Sequence, residues 1–436
     1  MKWFNGYRIR LVLIGFMAAI MLGGGSAKAD FTFGTPTNLG PTINSSYGDT
    51  CAFMSNDGLE FYFCSDRPPA TPYSMKWDIW VSTRATIDDD WGQPVNPGAP
   101  LNTSYHEQPE CISADGLELY IDSSRPGGSG REDLWVAKRE SKDDAWDTPV
   151  NLGPRVNSSV HEWGAWISTD GLELYYNSLR AGGHGGQDIY MVSRTTTAGE
   201  WGTPINLGAQ VNSSTYDISP TTSDNALWLL FSDYPGLAPR PGGFGGGDIW
   251  MSTRATILDP WEEPVNLGPA INSSANEVEP AISPDGSNLY FSSTRQGGLG
   301  GNWGDIYQAP IIPIVDLNGD GIVDSADMCT MVDHWGENYS LCDIGPTPLG
   351  DGIVDVQDLI VLAEHLFEDV NDPTLVAHWA LDDIEGDIAS DSANDNDGTV
   401  YGDPAWQPEG GMIDGTLELD GIDDYVHALR VEPGGW

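Results

Sequence analysis

Basic side chains are scarce: the 436-residue chain has 19 Lys and Arg against 65 Asp and Glu, a formal charge of −46. Such a chain repels phosphate backbones and anionic lipid, which excludes nucleic acid as an expected partner and favours a cation-rich setting. Long apolar runs are missing beyond residue 22, so nothing downstream is expected to span a membrane. Cysteine is sparse too, and five cannot all pair. Cys51, Cys64 and Cys111 fall in predicted strands and read as buried thiols. Cys329 and Cys342 flank a short predicted helix, where export would make a disulfide possible. Also lacking are a nucleophile elbow, a metal-binding histidine cluster and any isolated acid–base pair.

The N-terminus carries the one apolar run, Leu11–Leu22, after Lys2, Arg8 and Arg10 and before Ala27 and Ala29. A basic flank, a short apolar stretch and small residues predict a secretory signal peptide over residues 1–29. The mature chain is therefore expected outside the cytoplasm, secreted or at the cell surface, with the periplasm as another possibility.

Repetition is abundant. HEWGAWISTDGLELYY (161–176) has four further copies: GDTCAFMSNDGLEFYF, HEQPECISADGLELYI, YDISPTTSDNALWLLF and NEVEPAISPDGSNLYF. In each, an apolar run ends at an Asp-Gly-type turn, and the next run alternates with the period of two of a half-buried strand. A glycine loop, a third strand such as DIYMVSR and a fourth such as WGTPINLG complete the unit. Trp91, Trp146, Trp201 and Trp261 open the fourth strands 55, 55 and 60 residues apart, a spacing that suits four-stranded propeller blades. The fifth copy stops after its third strand, while FTFGTPTNLG (31–40) is an orphan fourth strand. The expected fold is mainly β, a five-bladed propeller over residues 30–313 in which the N-terminal strand closes the last blade. The motifs IS-x-DG-x-x-LYF, S-x-R and DIW resemble the WD40-like propeller repeats of the TolB type (PD40), a family of many roles.

Several repeated residues have structural readings. Arg67, Arg125, Arg180 and Arg295 end the second strands, and Asp78, Asp133, Asp188 and Asp305 open the third, so each pair is expected to bridge its own hairpin loop. Asn44, Asn102, Asn157, Asn212 and Asn272 begin N-S-S or N-T-S triplets that match a glycosylation acceptor, but recurrence at one turn points to backbone capping. Asp49, Glu107, Glu162, Asp217 and Glu277 precede the innermost strands. They read either as a ring of carboxylates facing the channel mouth, a binding site for a cation or sugar hydroxyls, or as acceptors for backbone N–H groups. Glu107 and Glu162 are the catalytic candidates if the propeller hydrolyses glycosides, although catalysis needs unequal carboxylates and these are equivalent. His161 and Trp163, with His106, Trp166, Tyr73 and Trp77, make the blades unlike one another and suit sugar stacking.

From Asp316, DLNGDGIVDSAD places Asp316, Asn318, Asp320, Ile322, Asp324 and Asp327 at positions 1, 3, 5, 7, 9 and 12 of a Ca²⁺ loop. A second segment offers Asp351, Asp355 and Asp358, with Thr347 and Leu349 at the first two ligand positions and Asp343 beyond a four-residue insertion. Residues 314–370 resemble a type I dockerin, which implies calcium and a cohesin-like partner in polysaccharide degradation. Residues 371–436, with LVAHWALDD, DSANDNDGTVYG and GTLELDGIDDYV, resemble the start of a laminin-G-like, concanavalin A-type lectin jelly roll, too short to complete the sandwich. Together these features imply a secreted, carbohydrate-associated binding protein. The alternative is a propeller glycoside hydrolase or lyase using channel-mouth carboxylates.

Overall fold

The computed structural model describes residues 31–68, 77–234, 239–300, 304–317, 322–337, 342–346, 350 and 352–366, and the backbone of five short strands beyond residue 387. The signal peptide falls outside the described residues, as do Asn318, Asp320, Asp351 and the segment LVAHWALDD. No helix among the described residues is long and apolar enough to cross a membrane.

The five copies form five antiparallel blades. Their innermost strands are Asp49–Met54, Glu107–Ile112, Glu162–Ile167, Asp217–Thr222 and Glu277–Ile282. Each pairs with a second strand, and the second with a third, in sequence order. Second strands such as Glu118–Ser123 and Glu173–Ser178 are buried almost throughout, because in a propeller both faces of a blade pack on neighbours. Successive inner strands touch around the ring, including the fifth against the first.

The fourth strands are shorter than the sequence pattern implies. Only Val150–Asn151, Ile205–Asn206 and Val265–Asn266 pair as strands, and the first blade has a single bridge from Val81 to Val95. Trp91, Trp146, Trp201 and Trp261 therefore lie outside strands, and Arg84, Arg139, Arg194 and Arg254 sit over their rings at 4.2–4.4 Å. Closure is as expected: Phe31–Phe33 and Thr37–Asn38 both pair with the third strand of the last blade, Asp305–Pro313. Phe31 is buried, edge-on to Trp228 at 4.8 Å, so the seal also binds the fourth blade.

The asparagine of each N-S-S or N-T-S triplet stitches one blade to the next. Asn102 accepts the Ile79 N–H at 2.8 Å and donates to the Ile79 carbonyl at 2.9 Å, and Asn157, Asn212 and Asn272 do the same to Leu134, Ile189 and Ile249. Asn44 closes the ring on Ile306. These amides are buried and committed to backbone, which argues against glycan attachment there.

The aspartates that open the third strands do not meet the arginines expected of them. Asp133 accepts the N–H groups of Ser129 and Gly130 and the Asn151 amide, holding the glycine loop in a tight coil. A Cβ on Gly130 would run into the Val160 carbonyl of the neighbouring blade. Gly130→Ala is therefore expected to destabilise the propeller by about 1–3 kcal/mol, seen as a lower urea midpoint at unchanged slope.

Beyond the propeller, helices Ser325–Asp333 and Val356–Glu364 pack around Val323, Met331, Cys342, Ile344, Val354 and Leu362. Cys329 is exposed and Cys342 buried in this cluster. All five cysteines are free, so the possible 329–342 disulfide is not formed. Further on, Ile388–Ala389, Gly398–Tyr401 and Tyr425–Ala428 make one small sheet, and Ala405–Gln407 pairs with Thr416–Glu418.

Candidate functional site

The expected carboxylate ring is overturned as a channel-facing feature. Asp49, Glu107, Glu162, Asp217 and Glu277 are each fully buried. Glu162 shows why: it accepts the Ser158 N–H at 2.8 Å, the Ser158 hydroxyl at 2.5 Å, the Ser178 hydroxyl at 2.6 Å and Arg180 at 3.2 Å. Arg67, Arg125, Arg240 and Arg295 pair with Asp49, Glu107, Asp217 and Glu277 in the same way. Each arginine also donates to a carbonyl upstream, 24 residues away in four blades, as from Arg180 to Val156 at 2.5 Å, and 29 away from Arg240 to Val211. The ring is a set of five buried latches, and Glu107 and Glu162 have their oxygens occupied by protein donors.

What faces the channel is set by a β-bulge in every inner strand. In four blades the bulge begins at a residue in the left-handed region: Cys51 (φ 55°), Gly164 (φ 61°), Ser219 (φ 52°) and Glu279 (φ 58°). Bulges re-aim side chains and gather beside functional sites. Blade two has Pro109 at this place, and its ring holds φ near −65°. Pro109 keeps its pairing with Ile121, and the extra residue becomes Glu110.

The bulges surround a central cavity of about 760 Å³, within the range of about 300–1,000 Å³ usual for small-ligand sites. Its wall contains Glu110, Asp122, Glu132 and Glu279, the rings of Trp77, Trp163, Trp166 and Tyr234, and His106. The carboxyls differ in their surroundings. Glu110 accepts the N–H groups of Gly164 and Ala165 at 2.9 and 3.1 Å, and Glu279 accepts the Cys51 N–H at 2.9 Å and the Ser292 hydroxyl at 2.7 Å. Burial, with the repulsion of Glu279 added, pushes the Glu110 carboxyl up to about 8. Asp122 is 1% exposed and neither of its oxygens has a hydrogen-bond partner. Burial, and then the charges of Glu110 and Glu132, push it well above the usual carboxylate range. His106 lies 3.9 Å from Asp122, and burial pulls its imidazole below the ordinary value.

Of the residues expected to bind or stack, Tyr73 lies outside the described residues, and Trp77, His106, Trp163 and Trp166 line the channel. His161 reaches it through partners: its Nδ1 is 2.6 Å from Glu132, and its ring meets Trp163 edge-on at 5.5 Å. The sequence reading missed Glu110, Asp122 and Glu279. A comparison of copies carries the missing signal. The position of Asp122 is held elsewhere by Cys64, Asn177, Ser232 and Ser292, and an acid appears there only once.

In the helical module, Asp324 caps the first helix by accepting the Ala326 N–H, and buried Asp327 returns to the Asp324 N–H at 2.8 Å. With Asp316 and the carbonyl of Ile322, the first loop offers an all-oxygen donor set, which fits a hard cation such as Ca²⁺. The second loop is built alike: Asp355 caps Gln357, and buried Asp358 accepts the N–H groups of Asp355, Ile344 and Gly345 at 2.7–2.8 Å, while Asp343 accepts from Gly352. Among the described residues no group of three His, Cys, Asp or Glu side chains is placed to hold a metal.

Fold and site define a class: a closed five-bladed β-propeller with inequivalent carboxyls in its central channel. No protein-family description matches the chain, and no curated protein does. Among solved structures, it is similar to TolB from Acinetobacter baumannii (12% identity, 64% of this chain and 63% of that one, TM-score 0.37). It is also similar to an α-L-arabinofuranosidase from Lactobacillus brevis (14%, 62% and 92%, TM-score 0.42) and to the catalytic domain of a GH62 α-L-arabinofuranosidase from Coprinopsis cinerea (11%, 65% and 98%, TM-score 0.43). The chain thus covers less than two-thirds of TolB.

Proposed function

We propose that the propeller is a carbohydrate-acting enzyme, a glycoside hydrolase whose chemistry lies in the channel rather than in the ring of latches. The observation that carries this reading is the inequality of the channel carboxyls: Glu110 is buried on the Gly164 and Ala165 N–H groups, with burial and the charge of Glu279 pushing it up to about 8, while Glu279 is held through one oxygen by the Cys51 N–H and the Ser292 hydroxyl. Glycoside hydrolysis needs such a pair, one carboxylic acid to protonate the leaving oxygen and one carboxylate to take a proton from the attacking water. Glu110 retains its proton at neutral pH and has an O–H to give. Glu279, whose one oxygen accepts the Cys51 N–H and the Ser292 hydroxyl, takes the water proton on the other as the water oxygen bonds to the anomeric carbon and the glycosidic C–O bond breaks. Trp163 and Trp166 offer rings against which apolar sugar faces stack.

Because the acid works only when protonated, turnover should hold through neutral pH and fall tenfold per unit once pH exceeds about 8. A pH–rate profile of reducing-sugar release checks this. Glycan binding by folded protein that releases no sugar from any polysaccharide would return the propeller to a purely binding role.

The helical module is read as a calcium-ordered tether for a cohesin-like partner outside the cell. Calcium would be held by the first loop, adding roughly 2.7 kcal/mol at a hundredfold excess over its dissociation constant. Chelation by EDTA should raise hydrogen exchange in residues 322–335 and leave the blades protected. Unchanged exchange in residues 322–335 would contradict this reading.

A further inference from the structure

The charge of the channel is unbalanced in a way that selects its ligand. Four carboxyls, those of Glu110, Asp122, Glu132 and Glu279, line it, and no Lys or Arg does among the described residues. Nine of the blade arginines are committed elsewhere, and Arg131, beside Glu132, is exposed. Arg67, Arg125, Arg180, Arg240 and Arg295 are tied to the five latches, and Arg84, Arg139, Arg194 and Arg254 cover the outer tryptophans. Asp122 stays buried, aimed into the cavity wall and without a donor, and this marks the place where a ligand group is missing. Trp77, Trp163, Trp166 and Tyr234 in the same wall suit an organic cation, since aromatic faces attract ammonium groups and also stack on sugar rings.

Resting on the hydrolase reading above, we infer that the channel takes a glycan bearing a free ammonium group, a de-N-acetylated amino sugar, with the ammonium donating to Asp122. An uronate oligomer brings further carboxylates to an acidic wall that offers them no Lys or Arg among the described residues, and an N-acetylated sugar brings a neutral amide in place of the charge.

The test is calorimetric titration of the full chain at pH 6.5 with glucosamine oligomers, the matching N-acetylglucosamine oligomers and oligogalacturonate. Glucosamine oligomers should bind at least tenfold more tightly than the N-acetylated set, with no heat from oligogalacturonate. Asp122→Asn should erase that preference while the thermal melt stays in place, and Glu279→Gln serves as a second variant should Asp122→Asn disturb folding. Equal or tighter binding of N-acetylated or neutral oligomers, or release of neutral sugars alone, would overturn the ammonium assignment and leave the hydrolase reading standing. Absence of both binding and turnover with every oligomer would overturn the two together.

Discussion

Glu162→Ala should cost the propeller about 3–5 kcal/mol, because it strands Arg180 against a buried wall and frees the Ser158 and Ser178 hydroxyls at the same stroke. Chemical denaturation would show it as a large fall in midpoint. The loss should extend beyond blade three, since Arg180 also holds the Val156 carbonyl and the adjoining Asn157 stitches blade two to blade three. Glu107→Ala should behave alike, having an equivalent latch with Thr103, Ser123 and Arg125. A variant at Glu162 that keeps full stability yet loses turnover would mean that the latch is catalytic after all.

Asp122→Asn is the contrasting case. It exchanges one buried oxygen for an amide nitrogen where no protein donor or acceptor is lost, so the melt should hardly move. The at least tenfold preference for glucosamine oligomers over the N-acetylated set should nevertheless vanish, because the group that accepts from the ammonium is gone. The pair of variants separates stability from ligand recognition: one removes a group the fold uses, the other a group the fold leaves unsatisfied.

The five blades, their order and the N-terminal seal were legible in the sequence because repetition compares positions within one chain. FTFGTPTNLG could be placed because every other copy had the strand it supplies. The latches were half legible. The arginines and acids were recognised, but paired with the wrong partners, since sequence spacing shows which strand a residue ends and not how far a guanidinium reaches across its blade. The channel carboxyls were hidden by the bulge. An alternation of period two assigns each residue to a face, and one extra residue reverses that assignment locally, as at Glu110 and Glu279. Pro109 was the available clue, a proline inside a strand whose fixed φ forces the bulge to a different residue.

In the helical module the sequence showed the ligand spacing of the first loop. It did not show that Asp343 and Asp358 turn to backbone N–H groups in the second, which depends on how residues 343–345 fold against the helix that begins at Val356.

The account places the chemistry in the unequal carboxyls of the channel. It is tested most directly by initial rates of reducing-sugar release from a polysaccharide panel, measured for the wild type, Glu279→Gln and Glu162→Gln at equal concentrations of folded protein. It predicts release by the wild type, a fall of about 10²–10⁴-fold with Glu279→Gln, the usual worth of a general base, and rates for folded Glu162→Gln close to wild type. Release that survives Glu279→Gln and vanishes with folded Glu162→Gln would contradict it.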